Sequence, residues 1–143
     1  MIARTLIVST AREWLGTRWQ HQARLKNVGC DCAGLVIGVA RECGVKGIEF
    51  DVNGYDRKPS GNELHSHCST HMATVPLADM KPADVVLMRF ETEPQHLAIL
   101  GDYVGGGLSI IHAYAFSRKV VETRLDELWL SRIVCAYQMP GVE

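Results

Sequence analysis

Apolar positions at the start of the chain recur with helical spacing. Ile2, Leu6, Ile7, Ala11, Trp14 and Leu15 predict an amphipathic helix that stops at Gly16. Residues 17–30 show no period and read as irregular. Asp31 is a side-chain acceptor placed to cap a helix over 32–43, with Leu35, Val36, Val39, Ala40 and Cys43 on its apolar face and Gly44 ending it. Residues 45–60 hold Gly47, Gly54 and Pro59 and read as a loop; a short helix is expected over 62–73. After Pro82 the period becomes that of strands. Segments 84–90, 96–101, 108–115, 118–124 and 133–138 are β-rich and parted by turn signals, among them Gly105-Gly106-Gly107. Asp126 opens a short helical piece with Leu128, Trp129 and Leu130. Helices first and strands second predict an α+β domain, with the Cys32 helix packed on a C-terminal antiparallel sheet.

Composition narrows the class. At 143 residues, 47% hydrophobic and 22% charged, the chain reads as a single domain, 1–143, with enough apolar surface for one core. That balance excludes a disordered chain. A formal charge of −1 argues against a nucleic-acid partner, because no positive surplus is available to neutralise phosphates. Neither an export signal nor an apolar run of membrane-spanning length is seen, so the expectation is a cytoplasmic product on synthesis with no membrane partner. The cysteines are Cys30, Cys32, Cys43, Cys68 and Cys135. An odd number cannot all pair within one chain, and they read as reduced thiols. Cys43 and Cys135 are expected in the core.

Cys32 carries the first chemical hypothesis. In the opening turn of a helix, its thiol would meet unsatisfied N–H groups and the positive end of the dipole, which favour a thiolate. The bland reading is a buried structural cysteine. A nucleophile needs a base. Pairing Gly101 with Gly107 in the 96–101/108–115 hairpin leaves a five-residue loop and sets His96 opposite His112. One imidazole would then deprotonate Cys32 while the other orients it. A one-residue slip would split the two across the sheet. The rival is a metal site, since Cys30-x-Cys32 and His65-x-His67-Cys68-x-x-His71 are rich in soft and borderline ligands. The usual C-x₂-C pair is absent, a solvated polar helix face explains the histidines equally well, and no metal or other cofactor is assigned.

Five segments in order, W-L-G-T (14–17), G-C-D-C-A-G-L-V (29–36), P-A-D-V-V-L (82–87), H-L-A-I-L (96–100) and I-H-A (111–113), resemble the NlpC-type cell-wall cysteine peptidases. The resemblance covers residue 1 to about residue 140 and implies a papain-like fold. It makes Cys32 the nucleophile, His96 the base and His112 the residue orienting His96. It further implies hydrolysis of peptide bonds in the peptidoglycan stem, often between γ-D-glutamyl and a diamino acid. Where many relatives have G-T-P-Y, this chain has Gly16-Thr17-Arg18-Trp19, so an aromatic wall survives and a tyrosine hydroxyl does not. Asp31 matches the family pattern, and Trp19, His21, Gln22 and Asp31 form the expected substrate-binding group. Cys32's own N–H would be one oxyanion donor, with His21 or Gln22 supplying the second. The single-domain form resembles most the peptidases of phage and gene-transfer-agent tail modules. That implies tail proteins as partners and delivery to the periplasm or cell wall. Two other readings compete: a catalytically silent tail assembly protein of the same fold, and an amidase or acyltransferase of the wider superfamily.

Overall fold

The computed structural model describes residues 1–48, 61–90 and 94–143, so most of the expected 45–60 loop lies outside the described residues. Two helices open the chain, α1 (Arg4–Glu13) and α2 (Cys32–Glu42). Between them the stretch expected to be irregular forms a small hairpin, β1 (Arg24–Leu25) with β2 (Gly29–Cys30). A third helix, α3 (Gly61–His71), precedes strands β3 (Ala73–Val75), β4 (Val85–Arg89), β5 (Pro94–Asp102), β6 (Leu108–Tyr114) and β7 (Lys119–Arg124). The short helix α4 (Glu127–Ser131) and strand β8 (Ile133–Gln138) complete the chain. The strands from β3 onward form one six-stranded sheet in the order β3-β8-β4-β5-β6-β7. Its pairs are antiparallel throughout. The α+β expectation holds, with β3 added at an edge that three residues of weak pattern did not reveal.

The main core lies between this sheet and the helices. Leu97 and Ile99 of β5, Ile111 and Ala113 of β6, and Val85 and Leu87 of β4 meet α2 and α1 there. Alternation sends Ala98, Leu100 and Ile110 to the other face, where Leu125 and Trp129 pack against them. Helix α2 is more central than its predicted stripe: every residue from Ala33 to Ala40 is buried. A helix apolar all round belongs inside the molecule. Helix α1 buries Ile7 and Ala11 as predicted, and Val8 besides, but Leu6 and Leu15 are exposed. Cys43 and Cys135, expected in the core, are half-buried and pack against its edge, whereas Cys30 and Cys68 are fully buried.

Two glycines set how closely α2 is approached. A Cβ at Gly34 would collide with the Ala23 carbonyl oxygen, and one at Gly38 with the Trp14 ring. Trp14 is fixed there by an indole N–H donating to Glu42 at 2.8 Å. A ring can shift, whereas the Ala23 backbone is tied at its neighbours. Gly34→Ala is therefore expected to cost about 1–3 kcal/mol of stability, read as a lowered midpoint in denaturant unfolding. An unchanged midpoint would show that the Ala23 loop yields freely.

Candidate active site

Asp31 builds the nucleophile's position. Its backbone is extended, with φ −106°, and its side chain caps α2 by accepting from the Gly34 N–H at 2.8 Å. Its second oxygen accepts from the Gln22 N–H at 2.6 Å. The carboxylate is buried and joins the loop before β1 to the start of α2. That makes Asp31 a positioning residue for the expected nucleophile, Cys32, which occupies the first helical position. The Gln22 backbone N–H is consumed in this bond and does not serve the expected oxyanion contact. His21 Nδ1 lies 4.0 Å from the same Asp31 oxygen.

The thiol environment corrects the expectation of a resting thiolate. Burial pushes the Cys32 thiol up to about 12, the Asp31 charge adds to this, and the backbone amides of Leu97, Ala33 and Cys32 oppose it without prevailing. The helix-start donors are present as expected. They are outweighed because an adjacent carboxylate and a low-dielectric setting act on the same atom.

The histidines come together by a register other than the expected one. Gly101 pairs with Ser109, and the ladder runs from Ile99↔Ile111 to Asp102↔Leu108. Gly106 and Gly107 hold φ +98° and +80°, a left-handed backbone suited to the turn, so the five-residue loop is 103–107. Relative to the expected register, the pairing is displaced by two residues. A shift of two preserves the face, and His96 Nε2 lies 2.8 Å from His112 Nδ1. His112 Nε2 lies 3.1 Å from Thr123 Oγ1 on β7, a residue that sequence reasoning missed. Nothing along the chain marks this threonine; only the pairing of β6 with β7 brings it near.

Aromatic side chains enclose the pair. The Phe90 ring is 5.1 Å from His96, Tyr114 stacks on His112 at 5.2 Å, and Trp129 meets His112 edge-on at 5.2 Å. The Arg132 guanidinium lies over the Trp129 ring at 4.7 Å. Burial holds the His96 imidazole well below its ordinary pKa, with the His112 and Arg132 charges adding to the effect. Burial alone lowers His112 to about 4. Both rings are neutral at pH 7.

The Cys32 thiol reaches β5 at the amide of Leu97, the residue after His96. Among the described residues no hydrogen bond joins Cys32 to either ring. The residues of the rival metal site are dispersed: His71 Nδ1 is 2.9 Å from the Gly47 carbonyl, His65 Nε2 is 3.8 Å from the Cys135 sulfur, and Cys68 is buried. No group of three or more histidine, cysteine or acidic side chains among the described residues is placed to hold a metal ion. Nor is any helix among them long and apolar enough to cross a membrane.

No protein-family model matches this sequence, and no curated protein matches it. Solved structures do. The NlpC/p60 domain of the peptidoglycan hydrolase SagA superposes with a TM-score of 0.65 at 20% identity, covering 95% of this chain and 98% of that one. An N-acetylmuramoyl-L-alanine amidase from Bacteroides uniformis gives 0.66 at 10% identity, over 95% and 98%. A lipoprotein-like NLP/P60 protein from Staphylococcus aureus gives 0.64 at 16% identity, over 95% of this chain but only 41% of its own length. The chain likewise spans under half of NlpC2 from Trichomonas vaginalis, 44% of that protein. The architecture built here, a capped helix carrying Cys32 against a six-stranded antiparallel sheet, is therefore the papain-like fold of NlpC/P60 domains.

Proposed function

We propose that this protein is a cysteine peptidase that hydrolyses the peptidoglycan stem, between γ-D-glutamyl and a diamino acid. The observation that carries the reading is the relay Thr123–His112–His96, its two imidazoles buried, which ends one residue from the strand amide touching the Cys32 thiol. Only one arrangement of protons lets His96 act as a base. His96 donates from Nε2 to His112 Nδ1, and His112 donates from Nε2 to Thr123, which leaves His96 Nδ1 with a lone pair for the thiol proton.

The chemistry starts from neutral partners. As the Sγ–C bond forms at the scissile carbonyl, His96 Nδ1 takes the thiol proton, and the Cys32 N–H donates to the oxyanion. His21 or the Gln22 side chain supplies the second donor. Collapse breaks the C–N bond, the leaving nitrogen takes the proton from His96, and an acyl-enzyme remains. Water then attacks, giving its proton to His96, and the carboxylate product and free thiol are restored. The missing thiol–imidazole hydrogen bond is formed once substrate occupies the site, as apo catalytic contacts commonly tighten on binding.

Trp19, His21 and Gln22 form the proposed substrate wall beside Cys32. On the resemblance to tail-module peptidases, the protein is synthesised in the cytoplasm and works at the cell wall as part of a phage or gene-transfer-agent tail. An amidase reading is the alternative, and the fold shared with the Bacteroides amidase favours it. Incubation with defined muropeptides separates the two by product mass. Cleavage inside the stem is expected; release of the whole stem from the sugar would establish the amidase, and intact substrate would indicate a silent tail protein.

A further inference from the structure

A cleft of about 510 Å³ beside this site is lined by Arg18, Trp19, Ala115 and Arg118. Its two walls are fixed by backbone bonds to the elements that carry the proposed chemistry. On one side the Cys30 N–H donates to the Arg18 carbonyl at 2.9 Å, two residues before Cys32. Across the cleft the Trp19 N–H donates to the Arg118 carbonyl at 2.9 Å, and Arg18 bridges to Lys119. Arg118 ends the turn that follows β6, the strand of His112 and Tyr114. The cleft is thus joined both to β2, which leads into the helix of Cys32, and to β6, which carries His112.

Its charge is not spent within the fold. Arg4 and Arg12 are engaged by Asp84 and by Glu122 and Asp102 respectively. Among the described residues, neither Arg18 nor Arg118 has an ion pair or a side-chain hydrogen bond. Arg118 also holds φ 61°, a left-handed conformation that disfavours any residue with a Cβ, and this aims its side chain from a constrained turn. Two guanidinium groups beside an indole make a local positive site in a chain whose formal charge is −1. Guanidinium presents paired N–H donors that match a carboxylate in geometry and charge.

We infer that this cleft is a subsite for a free carboxylate of the substrate. The inference rests on the peptidase reading, because a peptide that runs through the γ-carboxyl of glutamate leaves an α-carboxylate exposed beside the scissile bond, and the diamino acid carries another. The subsite selects acid over amide forms of the same peptide.

The test uses the full chain and one stem peptide in three forms: unmodified, and amidated at each carboxylate in turn. The wild-type protein is expected to prefer the unmodified peptide over one of the amides by about tenfold or more in kcat/KM, the range for charge-assisted hydrogen bonds. In R18Q and R118Q that ratio is expected to fall toward one, with R118K recovering part of it. Equal losses on all three peptides, or an unaltered ratio, would overturn the subsite while leaving the peptidase reading in place. Binding of the unmodified peptide to C32A, measured by calorimetry with and without R18Q, gives an independent readout. If the wild-type protein cleaves none of the peptides yet this binding weakens with R18Q, the subsite stands and the peptidase reading fails.

Discussion

Replacing Cys32 by alanine is expected to remove stem-peptide hydrolysis, lowering kcat by about a million-fold, the scale seen when the nucleophile of a triad is lost. The fold should persist, because Asp31 caps α2 through the Gly34 N–H and needs nothing from the thiol. Circular dichroism and an unfolding midpoint close to that of the wild-type protein would establish this. A second readout follows from the thiol's environment. With the thiol pushed up to about 12, alkylation of Cys32 in the resting protein should climb steadily as pH rises from 7 to 10. A plateau near neutrality would reveal a preformed thiolate–imidazolium pair and would contradict the neutral starting state. Hydrolysis at wild-type rate in C32A would refute the nucleophile outright.

Loss of His96 is the other large effect. His96→Ala removes the proposed base and later acid, and kcat/KM is expected to fall by about ten-thousand-fold or more, with general acid–base transfer and nucleophile activation lost together. His112 acts through His96, so its variants should be graded. His112→Asn keeps an acceptor for His96 Nε2–H and should retain far more activity than His112→Leu. The pH dependence follows from the directions of the shifts. His96 must be neutral to accept a proton, and burial lowers its pKa, so activity should persist below pH 6.5 before the acid limb sets in. The same shifts tie stability to pH. Histidines that are neutral when folded and free to protonate when unfolded contribute stability above pH 6.5. That contribution is lost as pH falls toward the His112 value of about 4. A melting temperature that does not decline between pH 6.5 and 4 more steeply in the wild-type protein than in a His96→Asn/His112→Asn variant would argue against the buried neutral pair.

The pattern of the chain carried much of this. Asp31 as cap, Cys32 in the first turn and Gly44 after the last were legible because capping depends on neighbouring residues alone. The strand run from β4 to β8 was legible because a two-residue period is local, and β8 was placed residue for residue. The His96–His112 partnership was right in face and wrong in register. A hairpin's register depends on which glycines take the left-handed turn positions, and three in a row do not say which.

What the sequence alone determined is therefore the kind of fold and the identity of the candidate residues, Cys32, His96 and His112. The tertiary structure decided their state. Thr123 joins the relay only because β7 pairs with β6, and Arg18 meets Arg118 only because the segment after α1 bridges to the β6–β7 turn. The thiol's pKa reverses the expectation from its helix position because burial and the Asp31 charge act through space at one atom. Such sums over neighbours distant along the chain have no local signature, whereas caps, periods and turns do.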